Sequence, residues 1–170
     1  AGMVRLSWLM TPATICLAIP MYEQFRVLRR NLKAILAGVI AGSLACMGTI
    51  LVLGLLLEFD QELIVSLLPK SVTTAIGVSL SELFGGMAGV TTAVIIVTGI
   101  GGNMLGPVLC KLFKIEDPVA QGVAFGTAAH VIGTAKANEL SQLTGAASSL
   151  SLVVAGLLTA VLMPILTHIM

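Results

Sequence analysis

Lys70 stands between Pro69 and Ser71 inside an otherwise hydrophobic run, apart from the charges that face solvent. An ammonium group is expensive to hold within a membrane, so a lysine at such a place is a functional-site hypothesis from the outset. Pro69 cannot continue a preceding helix but can begin one, and Ser71, Thr73 and Thr74 follow it. A cation, hydroxyls and the positive end of a half-helix gathered at one point make a receptor for an anion such as a carboxylate. The competing reading is a Lys70 that snorkels to the outer interface and touches only water and lipid headgroups.

A second polar patch, Thr127, His130, Thr134 and Lys136, surrounds Gly126 and Gly133. Histidine titrates in the physiological range, so His130 is a candidate carrier of a proton coupled to solute movement. The alternative is a neutral, hydrogen-bonded residue of a helix bundle. Thr11-Pro12-Ala13-Thr14 repeats the hydroxyl-plus-proline design near the start, and Asn103 interrupts a long apolar stretch. Together these give an expected solute site of Thr11, Thr14, Lys70, Ser71, Thr73, Thr74, Asn103, Thr127, His130 and Thr134. Glu82 and Glu139 follow the two patches and either mark a return to water or pair with lysine.

No enzyme is expected. The two histidines, His130 and His168, lie far apart without an accompanying carboxylate pair, and Gly99 to Gly102 sits within an apolar stretch with no strand before it, so no catalytic, metal or cofactor constellation forms. Cys16, Cys46 and Cys110 are odd in number and scattered through apolar segments, which suits packed thiols rather than a disulfide framework or a zinc site.

The elements that must position these residues belong to a membrane. Of the 170 residues 57% are hydrophobic and only 10% charged, with a mean hydropathy of +1.06, whereas a soluble domain carries roughly a quarter charged residues. The expected fold is an all-α integral membrane protein, a polytopic helical bundle forming one domain over residues 1–170. The net charge of +1 and the lack of a basic run interleaved with aromatics exclude a nucleic-acid partner.

Spans are expected over Ala34 to Leu57, Met87 to Cys110 and Ala146 to about Met170, each free of charge. Arg26, Arg29, Arg30 and Lys33 precede the first, and Lys111 and Lys114 follow the second, which puts both loops in the cytoplasm by the positive-inside rule. Leu63 to Gly86 must then start and end outside. Its Pro69, Lys70 and run of hydroxyls fit a discontinuous or re-entrant helix, because irregular backbone at that depth survives only where protein or water covers it. Val119 to Glu139 is read in the same way from the cytoplasmic side, and Trp8 to Tyr22, with Pro12 and Pro20, is also short and interrupted.

Residues 71 to 107 and 129 to 164 share an order: Ile-Gly, Glu-Leu, Gly, an apolar span and a terminal Pro. With opposite topologies the two form an inverted repeat, the arrangement that holds a solute where broken segments meet. Small residues at four-residue intervals, Ala34, Gly38, Gly42 and Cys46, then Gly85 and Gly89, then Gly102 and Gly106, predict close helix packing.

The strings TPATICLAIPMYEQ, LPKSVTTAIG, GGNMLGP and GTAAHVIGTAKANEL, in this order, resemble the LrgB/CidB family of bacterial membrane proteins, which also includes the plastid glycolate/glycerate translocator. The resemblance covers essentially the whole chain and implies further apolar helices ahead of the TPAT motif in a full-length protein. Ala75 and Ala129 stand where many relatives carry Pro and Ser. The resemblance implies a multi-pass protein of the bacterial cytoplasmic membrane, with an LrgA/CidA-like membrane partner and self-association as further expectations. It carries two functions, transport of small carboxylates of the glycolate, glycerate or pyruvate type, and an antiholin or holin-like control of murein-hydrolase export and lysis. The anion-receptor reading of Lys70 favours transport.

Overall fold

A computed structural model describes residues 18–169, and every regular element among them is helical. After a helical turn at 18–23 come α1 (Phe25–Arg30), α2 (Leu32–Leu56), α3 (Gln61–Leu67), α4 (Thr74–Leu83), α5 (Ala88–Leu112), α6 (Pro118–Leu140) and α7 (Gln142–Ile169). Three of them, α2, α5 and α7, are long and apolar enough to cross a membrane. Their outward faces carry exposed Leu44, Val52, Val97, Val108, Leu157 and Val161. So much contiguous apolar surface is a liability in water and is the ordinary exterior of a helix in lipid.

The helix ends follow from local chemistry. Asp117 accepts a hydrogen bond from Ala120 N at 2.8 Å and Pro118 occupies the first turn of α6, so the one missing donor falls where none is needed. Gly85, at φ +84, closes α4: Gly86 N donates to Ser81 O at 2.7 Å and Gly85 N to Glu82 O at 3.3 Å. Glu58 (φ 52) and Lys114 (φ 53) take the same left-handed position after α2 and α5, which places both charged side chains at helix ends.

Neither α3, of 7 residues, nor α4, of 10, reaches across a bilayer, since each rises only about 1.5 Å per residue against a hydrocarbon core of about 30 Å. They form a hairpin. Ile64 of α3 lies against Gly54, near the end of α2, and packs in one cluster with Met47 and Met163 that Leu80 of α4 and Phe84 just after it also join. The arms are pinned to α5 by a buried polar cluster, in which Thr91 Oγ1 sits 2.7 Å from Ser81 Oγ and 3.0 Å from the Ser66 carbonyl, while Met87 N donates to Ser66 Oγ at 2.7 Å.

Helix α6 is a second hairpin. Its backbone leaves helical geometry at Ala129 (φ −125, ψ 16) and His130 (φ 43, ψ −137). The chain then turns back, so that Gln121 from the first arm and Leu140 from the second line one cleft with Lys111 and Lys114. Ala137 likewise packs beside Cys110 and Phe125. This hairpin opens at the basic end of the molecule, where Leu28, Ile35 and Val119 meet Ala146 and Ala147, and the first opens at the opposite end. The element order therefore recurs: arm, break, arm, then a long helix with an internal proline, Pro107 in α5 and Pro164 in α7.

Small residues make the approach possible. A methyl at Gly38 or Gly42 would meet Val123 or Thr127, one at Gly102 would meet Ala129, and one at Gly106 would meet Phe125. Nothing lies within 4 Å of a Cβ built at Gly89, so that pair makes no comparable contact. The α7 helix starts at Gln142, earlier than the hydropathy alone indicates, because Ser141 Oγ and Thr144 Oγ1 bond to each other at 2.7 Å and Ser141 Oγ accepts from Thr144 N at 3.0 Å.

Candidate functional site

The tips of the two hairpins meet at a cavity of about 430 Å³. Lys70 and Ser71 enter it from the first tip, Thr127 and Ala128 from the second, and Gly42, Cys46 and Thr49 from α2. Ser71 Oγ lies 3.5 Å from Lys70 Nζ and 3.1 Å from Cys46 Sγ. Among the described residues the close ion pair is Lys136 with Glu139, at 2.7 Å on the exposed second arm, and none is made to Lys70. Lys70 is half-buried. A cation in such a place retains an unspent demand for an anion.

Thr127 carries a matching demand. It is 5% exposed, and its Oγ1 is a buried side-chain oxygen without a hydrogen-bond partner. Leaving such a hydroxyl unsatisfied costs about 1–3 kcal/mol. Its methyl faces Gly42, the contact that a Cβ there would tighten to 2.9 Å. A cation and a hydroxyl that open on one space can bind a small anion, and Thr127 lines that space with an unpartnered hydroxyl buried in the wall behind it.

His130 lies just behind the tip, 3% exposed. Its Nε2 is 2.8 Å from the Ile95 carbonyl, which only accepts, so Nε2 bears the proton and Nδ1 is left to accept. Gly99 makes room for the ring, since a Cβ there would stand 2.6 Å from Cε1. A positive φ at a non-glycine residue holds about 1–3 kcal/mol of strain, retained here by the packing on all sides.

The other expected site residues divide. Thr134 is fully buried; its hydroxyl donates to the His130 carbonyl at 2.9 Å and so accepts from Ser148 Oγ, also at 2.9 Å. Asn103 donates to the Ile132 carbonyl at 3.1 Å, tying the second arm to α5. These two brace the break rather than face the cavity. Thr74 is exposed, and Thr73 lies beyond Val72 in a different cavity, with Ile76, Val131 and Ser149. Thr11 and Thr14 fall outside the described residues. Cys46 and Thr49, which line the Lys70 cavity, are signalled in the sequence only by the small-residue spacing that ends at Cys46.

Three membrane-length apolar helices and two helical hairpins, whose tips meet at a largely apolar cavity carrying Lys70, Ser71, Thr49 and Thr127, define a helical membrane protein. The chain belongs to the LrgB-like family, whose model matches residues 1–169. It is similar to the uncharacterized protein YwbG of Bacillus subtilis (strain 168), with 38% identity over 162 residues that cover 95% of this chain and 72% of that protein. No solved structure matches it.

Proposed function

We propose that the chain carries small carboxylates of the glycolate, glycerate or pyruvate type across the bacterial cytoplasmic membrane. The observation that carries this reading is a cavity between the hairpin tips lined by a Lys70 without a carboxylate partner and by Thr127, whose buried hydroxyl has no partner. In this reading the hairpins are re-entrant and enter from opposite faces, as inverted-repeat carriers do. The carboxylate binds the Lys70 ammonium and the Ser71 hydroxyl, and Thr127 takes a hydroxyl or keto oxygen. Rocking of one half against the other then exposes the anion to each face in turn, with His130 carrying a coupled proton.

Family membership supports the holin-like reading equally well, and the cavity is what favours a carrier. A hole through which murein hydrolases or their regulators act has no need of a tuned anion site. The full-length protein in proteoliposomes, alone and with an LrgA/CidA-like partner, separates the two. Saturable glycolate or pyruvate uptake, competed by analogues and lost in Lys70→Met, is expected of the carrier. Nonselective leakage of unrelated solutes, indifferent to Lys70, would sink it.

A further inference from the structure

The end of α5 forms a two-part site against α6. Lys114, at φ 53, turns the chain back, with Lys114 N donating to the Lys111 carbonyl at 3.2 Å and Ile115 N to the Cys110 carbonyl at 2.8 Å. Gln121 Nε2 then ties the turn to α6 through the Ile115 carbonyl at 2.7 Å. Lys111 and Lys114 are thereby held on one cleft of about 390 Å³, which Gln121 and Leu140 also line. Glu116 lines it too, yet among the described residues the close ion pair is Lys136 with Glu139, so neither cleft lysine is neutralised by contact.

Further from the helix end lies an apolar pocket of about 150 Å³ that shares Cys110 and Ile115 with the cleft. It runs between α5 and α6, past Gly106 with Phe125 packed on it, to Gly102 and Ala129. The eight residues from Gly102 to Cys110 rise about 12 Å along the helix. Leu109, on its edge, is 46% exposed, so the pocket opens toward lipid. Lysines at the end of a membrane helix are ordinary, because the dipole and the interface both favour them there. The unusual feature is their continuity with a slot of hydrocarbon-chain width.

We propose that cleft and slot together bind an anionic phospholipid, its phosphate held by Lys111 and Lys114 and one acyl chain laid in the slot as far as Ala129. Basic pockets between membrane helices bind acidic lipid headgroups. A zwitterionic lipid with the same chains fits the slot but brings its own cation to the lysines, and a chainless phosphate meets the lysines but leaves the slot empty. The chain ends against Ala129, where α6 leaves helical geometry, so an occupied slot fills the space behind that break. The site is independent of the carrier reading and needs only that the basic end of α5 meets a bilayer surface.

The test uses the full chain in phosphatidylcholine vesicles containing a small fraction of phosphatidylglycerol with a photoreactive diazirine in one acyl chain. Adducts are expected on residues 102–110 and 124–129, with about tenfold fewer from a phosphatidylcholine probe carrying the same chain. Lys111→Gln with Lys114→Gln alters two exposed side chains, which the fold tolerates, and should lower phosphatidylglycerol labelling there about twentyfold, at about fivefold for each cation. Arg29→Gln with Lys33→Gln, exposed at the same end of the molecule but outside the cleft, should leave it within about twofold. Glycerol 3-phosphate should not compete. Adducts spread evenly over the outward faces of α2 and α7, equal labelling by the two probes, equal losses in the two double variants, or competition by glycerol 3-phosphate would overturn the proposal.

Discussion

The two hairpins repeat one plan with different materials. The first, α3 and α4, has a proline at its tip and a half-buried lysine and serine facing a cavity, and it is held to α5 by three buried hydroxyl side chains, Ser66, Ser81 and Thr91. The second, α6, turns without a proline, through a histidine at positive φ, and is packed on α7 so closely that a Cβ on Gly122 or Gly126 would run into the Thr144 or Ser148 carbonyl. Charge sits in the loosely built half and shape in the tightly built one. A binding group that must take up and release a solute gains from a setting with few fixed partners, whereas the wall it works against gains from rigidity.

The largest expected difference is between the lysines. Lys70→Met removes the ammonium from the cavity and should reduce saturable carboxylate uptake about a hundredfold, the scale of losing one partner of a desolvated charge pair. Lys136→Met breaks an exposed pair with Glu139 on the second hairpin, worth about 0–1 kcal/mol, and should leave uptake at the unmodified level. Equal losses in a proteoliposome assay would contradict the division between the halves.

The next contrast concerns packing. Gly126→Ala forces a methyl onto the Ser148 carbonyl, and α6 and α7 must part, at a cost of about 3 kcal/mol. Gly77→Ala, in the first hairpin, meets the end of the buried Ile95 side chain at 2.6 Å and the Pro69 carbonyl at 3.2 Å, farther than the backbone contact at Gly126, and should cost about 1–2 kcal/mol. Thermal unfolding in detergent measures both, and a Gly77 variant as damaged as the Gly126 variant would show the first hairpin to be equally rigid.

Within the second hairpin, Thr127 and Thr134 differ in whether their hydroxyls are satisfied. Thr134→Val leaves the Ser148 hydroxyl short of its partner and should destabilise by about 1–2 kcal/mol. Thr127→Val removes an oxygen that bonds to nothing in the folded chain, so stability should hold or rise. It should also lower preference for lactate over propionate about tenfold, with Thr127→Ser restoring it. A Thr127→Val protein with undiminished preference would place the hydroxyl outside the solute site.

Much of this was legible in the sequence. Uncharged runs located α2, α5 and α7 to within a few residues, and the basic loops predicted that residues near Asn31 and Asp117 share one end, where they line one cleft. Pro69 marked the first break because proline cannot continue a helix, but it does not begin the next one: α4 starts at Thr74, so Lys70 and Ser71 lie in the turn before it rather than at its positive end. The second break has no such mark at Ala129 and His130, so the segment was evident but the turning point was not. The convergence of Thr73 with Lys70 was also expected from adjacency along the chain, whereas buried Val72 sends the two to different cavities. Ser149 and the Ser66–Ser81–Thr91 cluster depend on contacts between helices, and serine and threonine within apolar runs carry no sequence signal of which neighbour will satisfy them.

The smallest expected effect belongs to His130, and it bears on whether the second hairpin does any chemistry. The ring is buried at the break, its Nε2–H is engaged by the Ile95 carbonyl, and Lys70 is within coulombic reach across the tip. Burial and the Lys70 charge both oppose a proton at Nδ1, and a bound carboxylate offsets Lys70, so proton and anion can travel together from the more acidic face. His130→Gln is the informative change, because a glutamine amide can still donate to Ile95 while it cannot titrate. At about pH 8, where an ordinary imidazole is neutral, the variant should transport nearly as well as the unmodified protein. As pH falls toward about 5.5 the unmodified protein should accelerate under an inward proton gradient and the variant should not. Uptake measured across that range with and without the gradient decides the matter. If both proteins share one pH profile, His130 only braces the turn, and the charge chemistry of the site belongs to the first hairpin alone.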